Sequence, residues 1–230
     1  MIPVFILAGG KGDRFKPYTD IIPKCLIPVA GKPCVRHIVE TLFEQGFEDI
    51  TLCVNEKDLP LFEHEFRDLN VGFSISPRPL GTAGEIVWAT TSSIWEDHPA
   101  IMVIYGDDLT FRNYRELFKF HGEMGGSVSL ALTDNFQIPV GGVAYEKKGL
   151  EITKFDEKPS IEWPIWVGVA VFGTCVSDFI RFNTDLAKDV IPAMLEHGYG
   201  IYAYVVHDQW MDVGSLQHWK ETDEVLRNKI

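Results

Sequence analysis

The sequence predicts an α/β fold: a single domain in which a mostly parallel central sheet is flanked by helices. Three observations carry this. Short apolar runs at 2–7, 49–54, 71–76 and 100–105 have the composition of strands buried on both faces. Segments with helical spacing stand between them, and such alternation of strand and helix builds an open sheet covered on both sides. The chain is 230 residues long with 46% hydrophobic and 12% aromatic residues, and it contains no Ser/Gly tether, low-complexity tract or solenoid-length repeat, so one large domain is expected.

The elements follow in order. Residues 2–7 form the first strand. In the first helix, Val35, Ile38, Val39, Leu42 and Phe43 fall at i, i+3, i+4, i+7 and i+8, with Pro33 near the first turn and Gly46 at the end. A second helix is expected over 57–68. A third starts at Thr82, where Thr82 and Glu85 match the S/T-x-x-E capping box. Beyond residue 110 the rhythm changes: a helix near 113–122, strand-like runs at 127–132, 140–145, 151–156 and 165–173, a helix near 184–196, and strands near 200–206 and 210–213. Leu216, Trp219, Leu226 and Ile230 mark a closing amphipathic helix.

Bulk chemistry narrows the function. A net charge of −12 argues against a nucleic-acid partner, because binding a phosphate backbone needs a broad basic face. Residues 1–36 nevertheless hold six Lys or Arg against two Asp, a local cationic head on an acidic body. A few focused charges suit a small phosphorylated ligand. The four cysteines, Cys25, Cys34, Cys53 and Cys175, contain no C-x-x-C pair and read as small buried hydrophobes in a reducing compartment. The apolar start "MIPVFILAGG" lacks a basic leader and is too short for a membrane span, so it reads as a buried strand of a cytoplasmic protein without membrane contact.

The loop after the first strand, "LAGGKGDRFKPYTDIIPKCLIPVAGKP", is built for anions. Gly9, Gly10 and Gly12 allow backbone amides to approach a ligand, and successive amides in such a turn form a concavity for phosphate oxygens. Arg14 can add a planar fork and Lys24 a point charge. The dinucleotide pattern G-x-G-x-x-G is not met, since Phe15 stands where its third glycine would be, and the P-loop pattern G-x-x-x-x-G-K-[ST] is absent. The stretch "MVIYGDDLT" drives an apolar strand into two adjacent carboxylates, Asp107 and Asp108, an arrangement that calls for a cation.

The strand, glycine loop, Arg14, Pro17, Thr19, Pro23-Lys24, Pro28-Val29 and Lys32-Pro33 resemble the signature of the sugar-1-phosphate nucleotidylyltransferases, also called NDP-sugar pyrophosphorylases. The likeness runs nearly end to end: "PLGTAGEI" at 79–86 is similar to the family's base-and-ribose segment, "YGDD" to its G-D metal turn, "FDEKP" at 155–159 to its E-K-P, and "WMDVG" at 210–214 to its W-x-D-x-G. The mannose-1-phosphate guanylyltransferase branch is the most similar. The resemblance implies a Rossmann-like (GT-A-like) nucleotidyltransferase domain with a nucleotide-binding half over about 1–110 and a sugar-phosphate-binding half over about 111–230. It implies Mg2+ held jointly by Asp107 and Asp212. It also implies catalysis by Arg14, Lys24 and Asp107, without a protein nucleophile.

By the same resemblance, Leu7, Ala8, Gly9, Gly10, Gly12, Arg14 and Lys24 would meet the triphosphate, with Lys24 at the α-phosphate. Gly81, Thr82 and Gly84 would lie near the base or ribose, although Thr82 and Glu85 serve equally as a helix cap. Gly142, Glu157 and Gly168 fall in the sugar-binding region and Lys158 at the sugar phosphate. Asp108 is expected to be a solvated neighbour pointing away from Asp107. Where many relatives carry N-A-G, this chain reads Trp166-Val167-Gly168, and Trp166 either walls the sugar pocket or faces the core.

The implied substrates are a nucleoside triphosphate, GTP in the first instance, and a sugar 1-phosphate such as mannose 1-phosphate. Uridylyl, thymidylyl and cytidylyl transfer use similar frames, and the resemblance leaves room for a homo-oligomer. A glycosyltransferase of the related fold would account for Asp107 but not for the Arg14/Lys24 loop. A non-catalytic nucleotide-sugar sensor would bind without turnover, and a template-directed polymerase fails on charge and on length.

Overall fold

The computed structural model describes residues 2–90, 92–135, 142–148, 151–157 and 164–228. Lys158 lies outside them. The strands are β1 (Val4–Leu7), β2 (Pro28–Val29), β3 (Lys32–Pro33), β4 (Ile50–Asn55), β5 (Gly72–Ser76), β6 (Ala100–Tyr105), β7 (Val128–Asn135), β8 (Gly142–Lys148), β9 (Glu151–Glu157), β10 (Ile165–Gly173) and β11 (Ile201–Gln209). The helices are α1 (Cys34–Glu44), α2 (Leu59–Glu65), α3 (Thr82–Ala89), α4 (Ser92–Asp97), α5 (Tyr114–Met124), α6 (Ile191–Glu196) and α7 (Leu216–Arg227). None of them is long and apolar enough to cross a membrane.

Seven strands form the central sheet in the order β11-β7-β10-β6-β1-β4-β5. β1 runs parallel to both β4 and β6, β4 parallel to β5, and β11 parallel to β7. β10 is the exception, antiparallel to both β6 and β7. A parallel neighbour needs a crossover connection, normally a helix, whereas β10 follows the antiparallel β8–β9 hairpin.

Strand alternation sorts the core onto two faces. Val4, Ile6, Met102 and Ile104 join one apolar cluster with α1, α5 and α7, while Phe5, Ile101 and Val103 join the other with α3 and α6. Helices therefore cover both sides, as the continuous apolar runs required. On α1 the buried residues Val35, Ile38, Val39 and Leu42 form one stripe. The helix then stops at Gly46, whose φ of +83° is the left-handed value that glycine adopts without cost. Phe47 N donates to Leu42 O (3.0 Å) and Gly46 N to Phe43 O (2.9 Å), the paired bonds of a Schellman end.

Several local expectations change in the folded chain. Thr82 is not the cap of α3: Gly81 holds that position, and the Thr82 hydroxyl accepts from Leu186 N (2.8 Å) and donates to Asp185 Oδ2 (3.1 Å). Burial of the α3 start against the 182–186 loop gives the hydroxyl a tertiary partner in place of its own helix. The strand expected near 210–213 is a single bridge, Asp108 to Asp212, while β11 runs on to Gln209. The helix near 184–196 opens with a π turn over Leu186–Val190, capped by Asp185 Oδ1 on Ala187 N (2.9 Å) and Lys188 N (3.0 Å). The four cysteines are free, with Cys25, Cys34 and Cys53 buried, as expected for small apolar side chains.

Two contacts of α7 hold the β2–β3 hairpin. Trp219 Nε1 donates to Pro28 O (2.7 Å), and Asp223 Oδ1 accepts from Ala30 N (2.7 Å). The chain's last described helix thus anchors the segment between the glycine loop and α1.

Gly81 combines a φ of +80° with a position where a Cβ would stand 2.5 Å from the Thr184 carbonyl oxygen. Gly81→Ala is therefore expected to lower stability by about 2–3 kcal/mol in urea unfolding, whereas Gly10→Ala, which meets nothing within 4 Å, should stay within about 0.5 kcal/mol of wild type.

Candidate active site

Open α/β sheets offer a crevice at the carboxyl ends of their strands where the strand order reverses. Here β1 has β4 on one side and β6 on the other, so the reversal falls at β1. The glycine loop leaves from Leu7, and the Gly106-Asp107 turn leaves from the adjacent β6. Gly106 lets that turn pass close to β1: its N–H donates to Leu7 O (3.0 Å), and a Cβ would sit 3.1 Å from the same oxygen.

The loop itself is fixed from below. Ala8 N donates to Cys53 O (2.9 Å), and Asn55 Nδ2 donates to Gly9 O (2.6 Å). Gly12 adopts φ +64°, its carbonyl accepts from Thr19 Oγ1 (2.8 Å), and a Cβ there would come within 2.7 Å of Thr19 Cγ2. Gly10 faces open space. Arg14, on the short turn Asp13–Phe15, is exposed and has no ion pair among the described residues. An uncommitted guanidinium beside exposed loop backbone is equipped to receive an anion.

Lys24, whose Cβ lies beside Gly12, reaches Asp107 with its Nζ on Oδ2, both side chains being mostly buried. Main-chain pairing then brings in the remote aspartate. Leu109 N donates to Met211 O (2.7 Å) and Val213 N to Asp107 O (2.8 Å), an antiparallel pairing that sets Asp212 beside the Asp107 turn. Burial raises the Asp212 carboxyl above its ordinary pKa and Asp107 adds to the rise, while His218 and Lys24 oppose it. His218 Nδ1 lies 2.7 Å from Asp212 Oδ1.

Asp108 is not the solvated neighbour that its position suggested. Only 8% exposed, it accepts from Thr110 N through Oδ1 (2.8 Å) and from Trp210 Nε1 through Oδ2 (2.9 Å). Burial pushes its pKa up to about 7 against those hydrogen bonds. The chain has turned out of strand geometry after Tyr105, so alternation no longer decides which way the second carboxylate points.

The remaining expected residues divide. The open sides of Gly81 and Gly84 are filled by this chain: Thr184 lies against Gly81, and Phe182 and Asn183 against Gly84. The close approach these glycines permit is to backbone of the 182–184 loop. Gly142 pairs with Glu157 in the β8–β9 register, which brings those two together. Gly168 has φ +69° at the bulge between Trp166 and Ala170, where a Cβ would meet Tyr105 at 2.8 Å. Trp166 is turned inward: its ring packs on Tyr105 at 5.3 Å, and its Nε1 donates to Val169 O (2.8 Å).

Sequence reasoning missed Asn55 and the network beneath it. Ser76 Oγ lies 3.5 Å from Asn55 Oδ1 and 3.3 Å from Glu85 Oε1, which also accepts from Leu80 N (3.0 Å). A signal existed, since Asn55 is a polar residue ending an apolar strand at the edge where such sheets bind ligands. His218 and Trp210 gave no comparable signal as partners of the aspartates.

Fold and site together define an open-sheet protein with an amide-lined, cation-bearing loop facing paired carboxylates, a layout suited to a polyphosphate. The chain belongs to the Nucleotidyl transferase family, whose profile matches residues 4–228. It is 32% identical over 221 residues to the mannose-1-phosphate guanyltransferase of Gibberella zeae, and 30% identical over 220 residues to the mannose-1-phosphate guanylyltransferase catalytic subunit beta of Xenopus tropicalis. Each alignment covers 91% of this chain, which spans about 60% of the length of those relatives. In fold it is similar to HddC from Yersinia pseudotuberculosis complexed with GMP-PN (TM-score 0.76, 22% identity, 98% of this chain and 100% of that one). A second structure of HddC gives a TM-score of 0.75.

Glu85 offers a pH test. It is buried with Oε2 lacking a hydrogen-bond partner among the described residues, and burial raises its pKa above 4.5. The native state then keeps a proton that the unfolded chain has released, so stability falls as pH rises from 4.5 through the folded pKa and is level above it. Glu85→Gln abolishes that loss. In urea unfolding it should gain on wild type as pH rises, by about 1.4 kcal/mol for each unit separating the two pKa values, with no gain below pH 4.5.

Proposed function

We propose that this protein is a sugar-1-phosphate nucleotidylyltransferase that converts a nucleoside triphosphate and a sugar 1-phosphate into a nucleotide-sugar and pyrophosphate. The observation that carries the reading is the pairing of residues 107–109 with 211–213, which sets Asp212 beside Asp107, with Lys24, packed against Gly12 of the glycine loop, paired to Asp107. Guanylyl transfer to mannose 1-phosphate or a related sugar is the substrate reading, supported by the names of the curated relatives. Free cysteines suit a cytoplasmic setting.

In the proposed reaction a phosphate oxygen of the sugar 1-phosphate forms a bond to the α-phosphorus, and the bond from that phosphorus to the bridging oxygen breaks as pyrophosphate leaves. Two polyanions must meet, and their repulsion is the main obstacle. Amides of Gly9, Gly10 and Gly12 and the Arg14 guanidinium would receive the triphosphate. Lys24 would neutralise charge at the α-phosphate, and Leu7 and Ala8 would set the loop's origin. The segment carrying Gly81, Thr82 and Gly84, itself packed on the 182–186 loop, would lie near the base or ribose, and Gly142, Glu157, Lys158 and Gly168 would lie in the sugar-phosphate region. Fixed charges of this kind act by preorganisation, without a covalent intermediate.

The donor set fits a magnesium ion. Asp107 and Asp212 are two carboxylates on facing turns, and no cluster of three or more Asp, Glu, His or Cys able to hold a metal occurs among the described residues. Mg2+ is typically held by one or two carboxylates, with waters and substrate phosphates completing its shell. Bound there, it would supply Lewis-acid charge at the phosphate oxygens.

The test is a matrix of the common nucleoside triphosphates against a panel of sugar 1-phosphates, with Mg2+, read by pyrophosphate release. Pyrophosphate and a nucleotide-sugar should form only when both substrates are present, fastest with GTP and a manno-configured sugar. Release of nucleoside diphosphate from a nucleotide-sugar donor would instead make the protein a glycosyltransferase. Asp107→Ala and Arg14→Ala should each retain the wild-type unfolding midpoint to within a few degrees and lose about 10²–10³-fold in kcat/KM. A folded Asp107→Ala at full rate would remove that residue from the mechanism.

A further inference from the structure

The carboxyl group of Asp212 is held in an unusual way. Its Oδ1 and the Nδ1 of His218 are both buried, and neither has an aligned hydrogen-bond partner among the described residues, yet they stand 2.7 Å apart. Two bare lone pairs would repel at that distance, so the proton belongs on Nδ1 and points toward the carboxylate in a short, off-axis contact. On the other side, Oδ2 lies against Gly214, where a Cβ would overlap it at 2.1 Å. The Asp212 main chain is pinned as well, its carbonyl accepting from Thr222 Oγ1 of α7 (3.0 Å).

The imidazole is itself fixed. Its ring meets Trp210 edge to face at 5.1 Å, and Trp210 Nε1 donates to the buried Asp108, which also accepts from Thr110 N. These contacts run from the turn after β6 through Trp210 to α7 and back to Asp212, closing a ring around the facing turns. Asp108 takes its place in that ring through its bonds to Trp210 and Thr110.

We propose that His218 is a positioning residue for metal binding: its Nδ1–H occupies Oδ1 of Asp212 and orients the carboxylate so that Oδ2 is the oxygen presented to a divalent cation. This rests on the reading of Asp107 and Asp212 as metal-binding carboxylates. Groups that orient a metal's ligands are typically worth about 10–100-fold in metal affinity. His218 lies outside every motif by which the chain resembles its family.

The experiment compares wild type, His218→Leu, His218→Asn and Asp212→Ala as full chains. Mn2+ is the probe, titrated alone and with GTP, and binding is read from the free-ion EPR signal; urea unfolding checks each fold. Leucine fills the ring's space without a donor, while the asparagine amide nitrogen can stand where Nδ1 stood. His218→Leu should weaken protein-bound Mn2+ by about tenfold or more, and His218→Asn should recover binding to within about threefold of wild type. Equal affinity in His218→Leu and wild type overturns the proposal, and so does equal loss in the Leu and Asn variants. Should wild type bind no Mn2+, or Asp212→Ala bind it as well as wild type, the metal reading itself fails. If the leucine variant does not fold, His218→Ala with added imidazole decides: recovered Mn2+ binding supports the role, and no recovery rejects it.

Discussion

The pairing of residues 107–109 with 211–213 is the contact on which the site depends. Two backbone hydrogen bonds, Leu109 N to Met211 O and Val213 N to Asp107 O, join turns that lie far apart in the chain. They place carboxylates next to one another in a partly buried setting, where like charges repel strongly. The site compensates with Lys24 on Asp107 and His218 on Asp212. The backbone pairing holds the two aspartates together against their mutual repulsion, which Asp107 exerts on the Asp212 carboxyl.

That pairing is supported by packing at both ends. On one side, β6 lies between β1 and β10 with Ala100–Ile104 buried, so the turn that follows it starts from a rigid point. On the other, α7 holds Asp212 through Thr222 and reaches the β2–β3 hairpin through Trp219 and Asp223. One helix thus sets the position of the remote carboxylate and of the segment leading from Lys24 into α1. A loop site gains precision when the elements beneath it are rigid.

Electrostatics divide the crevice between committed and uncommitted groups. Lys24 is committed to Asp107, whereas Arg14 is exposed without an ion pair among the described residues. Beneath the loop, Asn55, Ser76 and Glu85 form a neutral-to-acidic polar layer that holds Gly9 and Leu80 in place. Its members are buried, so they act on the loop's shape rather than on a ligand directly.

Much of this was legible in the amino-acid order. Apolar runs located β1, β4, β5 and β6, and the 3.6-residue period located α1, because a strand covered on both faces reads as a continuous apolar run and a helix repeats its buried side at a spacing that survives in one dimension. The glycine loop, Arg14, Lys24 and Asp107 could be singled out because consecutive residues build that motif. What the sequence could not determine was everything that needs two distant segments to meet. The antiparallel insertion of β10, the burial of Asp108 under Trp210, the diversion of Thr82 from its cap to Asp185, and the contact of His218 with Asp212 each depend on tertiary packing. A side chain's local preference names the partners it could take within its own turn. Only the folded chain supplies the competing partner, and inside a protein the pairing that satisfies more buried polar atoms prevails.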